Sequence, residues 1–421
     1  MKPVAAGAPG STLFPWSPID PTGRIVVRTG SGSIAVDTDG REYVDASSLS
    51  LTCGYADPRV VEAVREQLEQ LQGLDLSAAR HLPVDALAAR VAATLPDGLT
   101  RTLFANSGSE GIEAAVFMSL RAWRLAGEPR DRVITMEQGY HGSTLLTRAL
   151  SGLLPTSHDM RDPVPVTRVR LTTSGAAVRT AEAGEELLAG FRDAFDAGDP
   201  PAAVVIEPIL NVGGGIVLPP SFLSSLRALC SERGTHLIID EVFTGWARTG
   251  RMFGFEHDAA VPDILVTSKG LGGGYVPISS VTPADHIVEL IGRDPVFGGL
   301  RYGHTTSGHA GACAAALAVL DIVEQEGLVD RAAALGSRLL GRLESLASAD
   351  HVVDVRGLGL VVVVETSTRD VADRVMAKVR DHGVLLRQQI TSLFVVPPLT
   401  VSEEHLDRVA EGVVASVLDC G

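Results

Sequence analysis

Lysine is scarce in this 421-residue chain: only Lys2, Lys269 and Lys378 occur, and arginine supplies the other 33 of its 36 basic side chains. Acidic residues outnumber basic ones, and the formal net charge is -15. Nucleic acids and anionic membranes do not attract a surface of this sign. The balance therefore favours small-molecule partners over both, and each of the few lysines calls for an explanation.

Cysteine and long apolar runs are also sparse. The four cysteines, Cys53, Cys230, Cys313 and Cys420, form no CxxC pair, so no metal site or redox motif is predicted and free thiols are expected. No apolar run reaches the roughly 20 residues of a membrane span. The segment Met1 to Pro21 lacks the apolar core of an export signal and is expected to be an arm. A soluble, cytoplasmic protein is expected.

The length of the chain favours two closely joined domains, because a single core seldom grows this large. No internal repeat or low-complexity linker separates them. We assign residues 1–55 to an N-terminal arm and part of a small domain, 56–309 to a large domain, and 310–421 to a C-terminal small domain. The expected fold class is α/β.

The middle of the chain predicts a mostly parallel central sheet covered by helices. The runs AAVVIE, HLIID and DILVTS are buried strands that end at Glu207, Asp240 and Lys269. Ligands bind beyond the carboxyl ends of such strands, so the three side chains are expected to meet in one crevice. A hairpin is predicted at 31–45 and a strand pair at 352–364, with a strand at 393–396. Helical spacing predicts helices at 57–71, 84–95, 108–123, 221–233, 310–326, 328–346 and 403–417.

Lys269 follows a strongly apolar strand and precedes a loop of four glycines, which permits close approach of a ligand. A desolvated lysine has a lowered pKa and forms imines with aldehydes. The alternative is a solvated surface charge. Asp240 ends a buried strand and must meet a cation or donors. It is interpreted either as a helix N-cap or as the partner of a pyridinium nitrogen.

Three further turns carry candidate ligand contacts. Ser107 and Glu110 fit a helix capping box, while Gly108 and Ser109 at the same helix start suit a phosphate. Tyr140 lies between turn glycines and is either a core aromatic or a ring stacked on a flat ligand.

The next residue, His141, is interpreted as a hydrogen-bonded structural histidine in preference to a proton shuttle. The turn His304-Thr-Thr-Ser-Gly-His309 leads into a helix, and its threonines suit capping or ligand binding.

With these elements in this order, the chain resembles the class III aminotransferases, the ω-aminotransferase and acetylornithine aminotransferase group of fold-type I pyridoxal 5'-phosphate (PLP) enzymes. The resemblance runs from about Ile25 to Leu418. Its most specific stretches are LIIDEVFTGWARTGRMFGFEH and DILVTSKGLGGGYVPISSV. It implies a fold-type I PLP-dependent transferase with a smaller α+β domain formed by both chain ends.

The resemblance also implies roles for the candidate residues. Lys269 would hold PLP as a Schiff base and carry the proton between substrate and cofactor. The other implied cofactor contacts are Asp240 at the pyridine nitrogen, Val242 and Tyr140 on the ring faces, His141 beside them, Ser107, Gly108 and Ser109 at the phosphate, and Glu207 beneath the ring. Thr305 would reach the phosphate of a neighbouring subunit, which implies a homodimer.

Departures from the common pattern concern the substrate. After the Glu-Pro pair, the usual IQGEGG is replaced by a segment with one residue more, as in diaminopelargonate-type members, and Asn211 takes the place of the glutamine near the cofactor hydroxyl. The gateway glutamate of ornithine-type enzymes is missing, and Phe394 replaces their arginine. Arg387 matches a position that holds a substrate carboxylate; the alternative is a surface arginine. Trp16 lies in an arm that lines the pocket in several relatives.

The predicted activity is aminotransfer in two half-reactions through pyridoxamine phosphate, from an amino donor to a keto or aldehyde acceptor. The alternatives on the same scaffold are a 1,2-aminomutase, an epimerase or a decarboxylating transaminase. A catalytically silent assembly or regulatory relative is disfavoured by the intact Lys269–Asp240 pair. The arginine-rich composition is compatible with a high-GC bacterial origin and a biosynthetic role.

Overall fold

The computed structural model describes residues 12–17, 23–153 and 161–420. Most of the arm expected at 1–21 therefore lies outside the described residues. The helices are α1 Pro58–Gln70, α2 Leu82–Ala93, α3 Gly108–Leu125, α4 Leu145–Leu150, α5 Ala181–Asp196, α6 Phe222–Glu232, α7 Asp285–Gly292, α8 Ala310–Gln325, α9 Leu328–Leu343, α10 Arg369–Asp381 and α11 Glu403–Leu418.

Short strands alternate with these helices along most of the chain. They are β1 Val27–Ser31, β2 Ile34–Asp37, β3 Glu42–Asp45, β4 Leu103–Ala105, β5 Val133–Met136, β6 Val166–Val169, β7 Ala203–Ile206, β8 Ile209–Leu210, β9 Ile216–Val217, β10 His236–Glu241, β11 Ile264–Thr267, β12 Ser279–Pro283, β13 Val352–Gly357, β14 Val362–Thr366, β15 Val384–Leu385, β16 Arg387–Gln389 and β17 Ser392–Val395.

A seven-stranded sheet with the order β4-β12-β11-β10-β7-β5-β6 forms the centre of the described structure. Its pairs are parallel from β11 through β6, whereas β12 runs antiparallel to both β11 and β4. Every residue of β5, β7, β10 and β11 is buried, because helices cover both faces and the strands are continuous apolar runs. The predicted mostly parallel sheet is confirmed.

The register of this sheet brings three strand ends to one edge. Ile239 of β10 pairs with Ile206 of β7, and Asp240 pairs with Val266 of β11. Glu207 follows β7 directly, and Lys269 comes two residues after β11. The carboxyl ends of the three parallel strands therefore place these side chains along one crevice.

Both chain ends contribute to a smaller α+β part. β3 pairs in parallel with β15, so the N-terminal hairpin and a C-terminal strand share one four-stranded sheet. A second sheet has the order β13-β14-β17-β16. Helix α8 contributes buried residues to the core of this part and also to the core of the large sheet. Our domain boundaries at 55/56 and 309/310 stay a prediction.

Most elements that the sequence predicted are present with ends shifted by a few residues. The helix predicted at 328–346 ends at Leu343 and continues as a 3-10 turn through Ser348. The sequence analysis did not predict helices α5, α7 and α10 or strand β12. In the described ranges no helix is long and apolar enough to cross a membrane.

Candidate active site

A cavity of about 530 Å³ opens at the carboxyl ends of β7, β10 and β11. It gathers all of the candidate residues that the sequence singled out except Thr305. These are Trp16, Ser107, Gly108, Ser109, Tyr140, His141, Glu207, Asn211, Asp240, Val242, Lys269 and Arg387.

Lys269 begins a single 3-10 turn after β11, and its Nζ lies 6.0 Å from the centroid of the Phe243 ring. Burial lowers the pKa of this amine below its usual value, although the carboxylates of Asp240 and Glu207 oppose the shift. An amine whose proton is easily lost can attack an aldehyde and accept a proton from carbon. The alternative of a solvated surface charge is wrong.

Asp240 is almost fully buried and lies within β10, which continues through Glu241. The helix N-cap interpretation of Asp240 is therefore wrong. Its Oδ1 accepts a hydrogen bond from the Val242 amide at 3.0 Å, and its Oδ2 lies 2.9 Å from Nδ1 of His141. The carboxylate is thus fixed in orientation at the floor of the cavity.

His141 is 3% exposed and is held on both ring nitrogens. Its Nε2 lies 3.1 Å from Oγ1 of Thr135, and its main-chain amide donates to Oγ of Ser151 at 2.8 Å. Burial by itself lowers the pKa of His141, but the hydrogen bond and charge of Asp240 outweigh it and raise that pKa. These contacts support the structural interpretation of His141, as the residue that positions Asp240.

The side chain of Glu207 links two turns of the site by hydrogen bonds. Its buried carboxylate accepts the main-chain amides of Tyr140 at 2.8 Å and Asn211 at 3.2 Å. Burial raises the pKa of Glu207 well above its usual range, partly offset by His141, and the nearby Asp240 charge adds to the rise. Removal of this carboxylate would release both turns at once.

Helix α3 begins at the cavity wall with Ser107 as its N-cap, whose Oγ accepts the Glu110 amide at 3.2 Å. Glu110 completes no capping box, because its Oε2 accepts instead from the amide and side chain of Asn106 at 2.7 and 3.0 Å. The free amides of this first helical turn, at Gly108 and Ser109, suit an anion. Capping and anion binding are therefore compatible here.

Gly108 is required by close packing against the cavity wall. A Cβ at this position would lie 2.8 Å from Cγ1 of Val242, closer than real Cβ contacts allow. The glycine lets the start of α3 and the Val242 side chain border one narrow slot.

An aromatic pair also lines the cavity. The Tyr140 ring, half-buried, has its hydroxyl 3.0 Å from Oγ of Ser143. The Trp16 ring meets it edge-on, with centroids 5.6 Å apart. Trp16 is 64% exposed and lines the cavity where its ring contacts Tyr140.

Arg387 starts β16 and extends into the cavity from the smaller part of the chain. Within the described ranges, its guanidinium makes no hydrogen bond and no ion pair. Burial lowers the pKa of Arg387, with Tyr140 opposing the shift. A half-buried guanidinium with open donors differs from an ordinary surface arginine, and a carboxylate suits its geometry.

Thr305 is exposed and does not line the cavity of its own chain. The neighbouring Thr306 donates from Oγ1 to Oδ1 of Asn106 at 2.8 Å, which ties this turn to the start of α3. The N-cap of α8 is His309, whose Nδ1 accepts the Ala312 amide at 3.3 Å. Capping by the threonines of this turn is therefore wrong.

Sequence reasoning missed several residues of the cavity wall. Leu49 and Ser50 reach it from the loop after β3, and Phe243 follows Val242. Tyr275 to Ile278 reach it from the loop before β12. Phe243 and the segment from Tyr275 to Ile278 lie inside the two stretches that carry the family resemblance, whereas no motif or spacing marks Leu49 and Ser50.

Comparison with known proteins places nearly the whole chain in one family. The model for Aminotransferase class-III matches residues 19–417. The chain is 31% identical over 417 residues to adenosylmethionine-8-amino-7-oxononanoate aminotransferase of Nitratidesulfovibrio vulgaris, covering 93% of this chain and 77% of that protein. It is 34% identical over 401 residues to a 5-aminovalerate aminotransferase of Pseudomonas aeruginosa, covering 91% of each.

The structural comparison agrees with the sequence comparison. The fold superposes with a TM-score of 0.92, at 27% identity, on an omega transaminase of Pseudomonas jessenii solved in complex with PMP, covering 97% of this chain and 96% of that one. A transaminase of the marine bacterium Virgibacillus gives a TM-score of 0.90, at 27% identity, covering 97% of each.

Proposed function

Since this chain belongs to the class-III aminotransferases, and is therefore a PLP-dependent aminotransferase that works through pyridoxamine phosphate, we propose specific roles for its residues. Lys269 is the covalent attachment point of the cofactor and the proton carrier of the reaction. Arg387 holds the carboxylate of an amino donor or acceptor.

The residues of the cavity fit PLP in shape and chemistry. Free amides at the start of α3 suit its phosphate, the slot between Val242 and Tyr140 suits a flat ring, and Asp240 suits its pyridine nitrogen. Asn211, buried beside Glu207, would lie near the ring hydroxyl. When bound, the cofactor supplies an aldehyde for linkage to amines and a ring that withdraws electrons from the substrate carbon.

Lys269 would move the proton at the substrate carbon. Burial lowers the pKa of Lys269 below its usual value, so the amine gives up its proton more readily than an exposed lysine does. The apolar ring of Phe243 and the strand behind Lys269 limit access of water to that amine. Positioned this way, the amine could accept the proton from the substrate carbon and then donate it on the cofactor side of the linking nitrogen.

Asp240 would keep the pyridine nitrogen protonated. Its carboxylate is oriented by His141 and by the Val242 amide, so little reorganisation is needed when the cofactor binds. Glu207 would hold the Tyr140 and Asn211 turns on either side of the ring. Each of these roles is a positioning or electrostatic one.

The open guanidinium of Arg387, in the same cavity as Lys269, is the observation that carries the substrate proposal. Removal of Arg387 should raise KM about 10- to 100-fold for donors with a carboxylate, because a charge-assisted bidentate pair contributes about 1.5–3 kcal/mol. Donors without a carboxylate should lose almost nothing.

The test compares wild type with Arg387→Ala and Arg387→Lys, using 5-aminovalerate, alanine and 1-phenylethylamine as donors. The readout is loss of the absorbance band of the lysine-bound cofactor, with release of the keto product. Equal losses with all three donors would contradict a carboxylate site. Absence of conversion with any donor would contradict the transamination itself.

We also propose a cytoplasmic homodimer in which Thr305 completes the site of the neighbouring subunit. Several large apolar side chains are highly exposed, which supports a protein interface; among them, Leu82 is 84%, Leu145 70%, Val296 80% and Phe297 66% exposed. The four cysteines are buried and free, as expected in a reducing compartment. Sedimentation equilibrium of Phe297→Glu beside wild type tests the dimer; unchanged mass would contradict this interface.

A further inference from the structure

A second cavity of about 450 Å³ lies beside the first, between the large sheet and the smaller part of the chain. Its walls come from the segment after β6, from the turn between β8 and β9, and from the hairpin turn between β16 and β17. The residue Val212 lines both cavities. The two spaces are therefore adjacent and meet at Val212.

The strand β16 contributes to both spaces. Arg387 extends into the first cavity, whereas Gln389 lines the second. Side chains two apart in a strand share one face and are separated by roughly 7 Å along the strand. Gln388, between them, faces away and donates to Oδ1 of Asp373 at 2.6 Å. One extended molecule can thus meet Arg387 and Gln389 in succession.

The turn between β8 and β9 borders both cavities and is held in place by hydrogen bonds. Nε and an amino group of the buried Arg356 donate to the carbonyls of Gly215 at 3.2 Å and Gly214 at 2.5 Å. A Cβ on Gly213 would lie 2.5 Å from the carbonyl oxygen of Gln138. This turn lies in the segment where the chain has one residue more than the common family pattern. The departure from that pattern therefore shapes the second cavity.

The charges around the second cavity favour an anion. Arg170, Arg179 and Arg356 line it, with Glu365 as the one lining carboxylate among the described residues. Two of these arginines are already paired: Arg179 with Asp354 at 2.8 and 2.9 Å, and Arg356 with Glu365 at 2.6 Å.

Two other lining side chains have open donors. In the part of the chain that the structure describes, neither Arg170 nor the side chain of Gln389 makes a hydrogen bond or an ion pair. A guanidinium and an amide so placed suit a carboxylate.

We propose that the second cavity is a distal subsite for a long amino substrate with two carboxylates, one held at Arg387 and the other at Arg170 and Gln389. The inference rests on the proposed aminotransfer at Lys269 and extends it to the class of substrate. Short donors reach only the first cavity, whereas long dicarboxylate substrates reach both.

The test measures binding of unreactive probes to the cofactor-loaded enzyme by calorimetric titration. The probes are linear diacids of four to ten carbons and monoacids of equal length, so that each pair differs only in the second carboxylate. Wild type should bind the longer diacids at least about 10-fold more tightly than the matched monoacids, as expected for one charge-assisted contact. The shortest diacids should show no such advantage.

The variants identify the contact. Arg170→Ala should remove the advantage of the longer diacids, and Gln389→Ala should reduce it, while both leave monoacid binding within about twofold of wild type. The matched control is Arg192→Ala, an exposed arginine outside the cavity that makes no hydrogen bond or ion pair with the described residues. It should keep the full advantage.

Equal affinity for diacids and monoacids in wild type, or an equal loss in Arg170→Ala and Arg192→Ala, would overturn the subsite. These results do not depend on catalysis. If the enzyme converts short donors but binds diacids no more tightly than monoacids, the aminotransfer is supported and the subsite is contradicted. If it binds diacids more tightly but converts no donor, the subsite is supported and the aminotransfer is contradicted.

Discussion

His141 and Asp240 form a buried pair at the floor of the cavity, with Nδ1 of the imidazole 2.9 Å from Oδ2 of the carboxylate. The histidine is itself held by Thr135 on its other ring nitrogen. A carboxylate oriented before the cofactor arrives stabilises a protonated pyridine more than a free one would. The pair therefore predicts unequal effects for its two members.

We expect Asp240→Asn to lower kcat by about 10²–10⁴-fold, the range of a lost acid–base or charge partner. His141→Gln should lower it much less, since Asp240 keeps its charge and the Val242 amide. The measurement is single-turnover loss of the cofactor absorbance band with a saturating donor. Equal losses in the two variants would mean that His141 acts directly on the reaction.

Lys269→Ala should abolish covalent attachment of the cofactor and lower kcat by at least about 10³-fold, because in the proposed roles this one side chain supplies both the linkage and the proton transfer. Borohydride reduction followed by mass analysis of peptides measures the attachment. Lys378→Ala is the matched control, since Lys378 is exposed and donates to the carbonyl of Asp419 at 2.6 Å. A reducible bond that persists in Lys269→Ala would exclude this lysine.

Gly108→Ala should weaken cofactor binding, because the new methyl group would overlap Cγ1 of Val242. Overpacking costs about 1–3 kcal/mol, which corresponds to roughly 5- to 150-fold in Kd. The double variant Gly108→Ala with Val242→Ala should recover most of the loss. Equilibrium dialysis measures Kd, and failure of the double variant to recover would show that packing against Val242 is not the cause.

Glu241 predicts a pH dependence of stability. Burial raises its pKa from 4.5 to about 7, although Thr244 and the amides of Gly254 and Phe255 donate to its carboxylate. Between these two values the folded chain binds the proton that the unfolded chain has lost. The free energy of unfolding contributed by Glu241 is therefore full below pH 4.5 and falls as pH rises to 7.

The loss is on the order of 3 kcal/mol for a shift of this size. Glu241→Gln should lack this pH dependence. The free energy of unfolding of wild type, relative to that of the variant, should therefore decrease between pH 5 and 7.5. Urea unfolding at several pH values measures it. A constant difference across this range would contradict the raised pKa.

The sequence was sufficient to predict the parts of the site that follow strands. Glu207, Asp240 and Lys269 each end an apolar run, and parallel strands bring such ends together whatever the rest of the fold does. Leu49 and Tyr275 could not be predicted in the same way, because they enter the cavity from loops whose path depends on tertiary packing. Strand β12 was also missed, since its sequence, SSVTP, has neither an apolar run nor the alternation that marks a strand.

Asp240 shows a second limit of sequence patterns. An aspartate before a turn fits an N-cap, but its distant partner His141 is known only once β5 and β10 lie in the same sheet. Ser107 and Glu110 match a capping box, yet Glu110 turns to Asn106. Short motifs of this kind predict which hydrogen-bond donors are nearby, whereas the tertiary structure determines which of these donors forms the bond.

The hairpin of β16 and β17 supplies Arg387 to one cavity and Gln389 to the other from a single short strand. A shift of that strand by one residue would turn both side chains away from their cavities together. Because one strand carries both residues, binding of one end of a ligand at Arg387 and of its other end at Gln389 depends on the same strand position. Exchange of this hairpin between relatives is a compact route to altered chain-length preference, with the catalytic floor beneath it left intact.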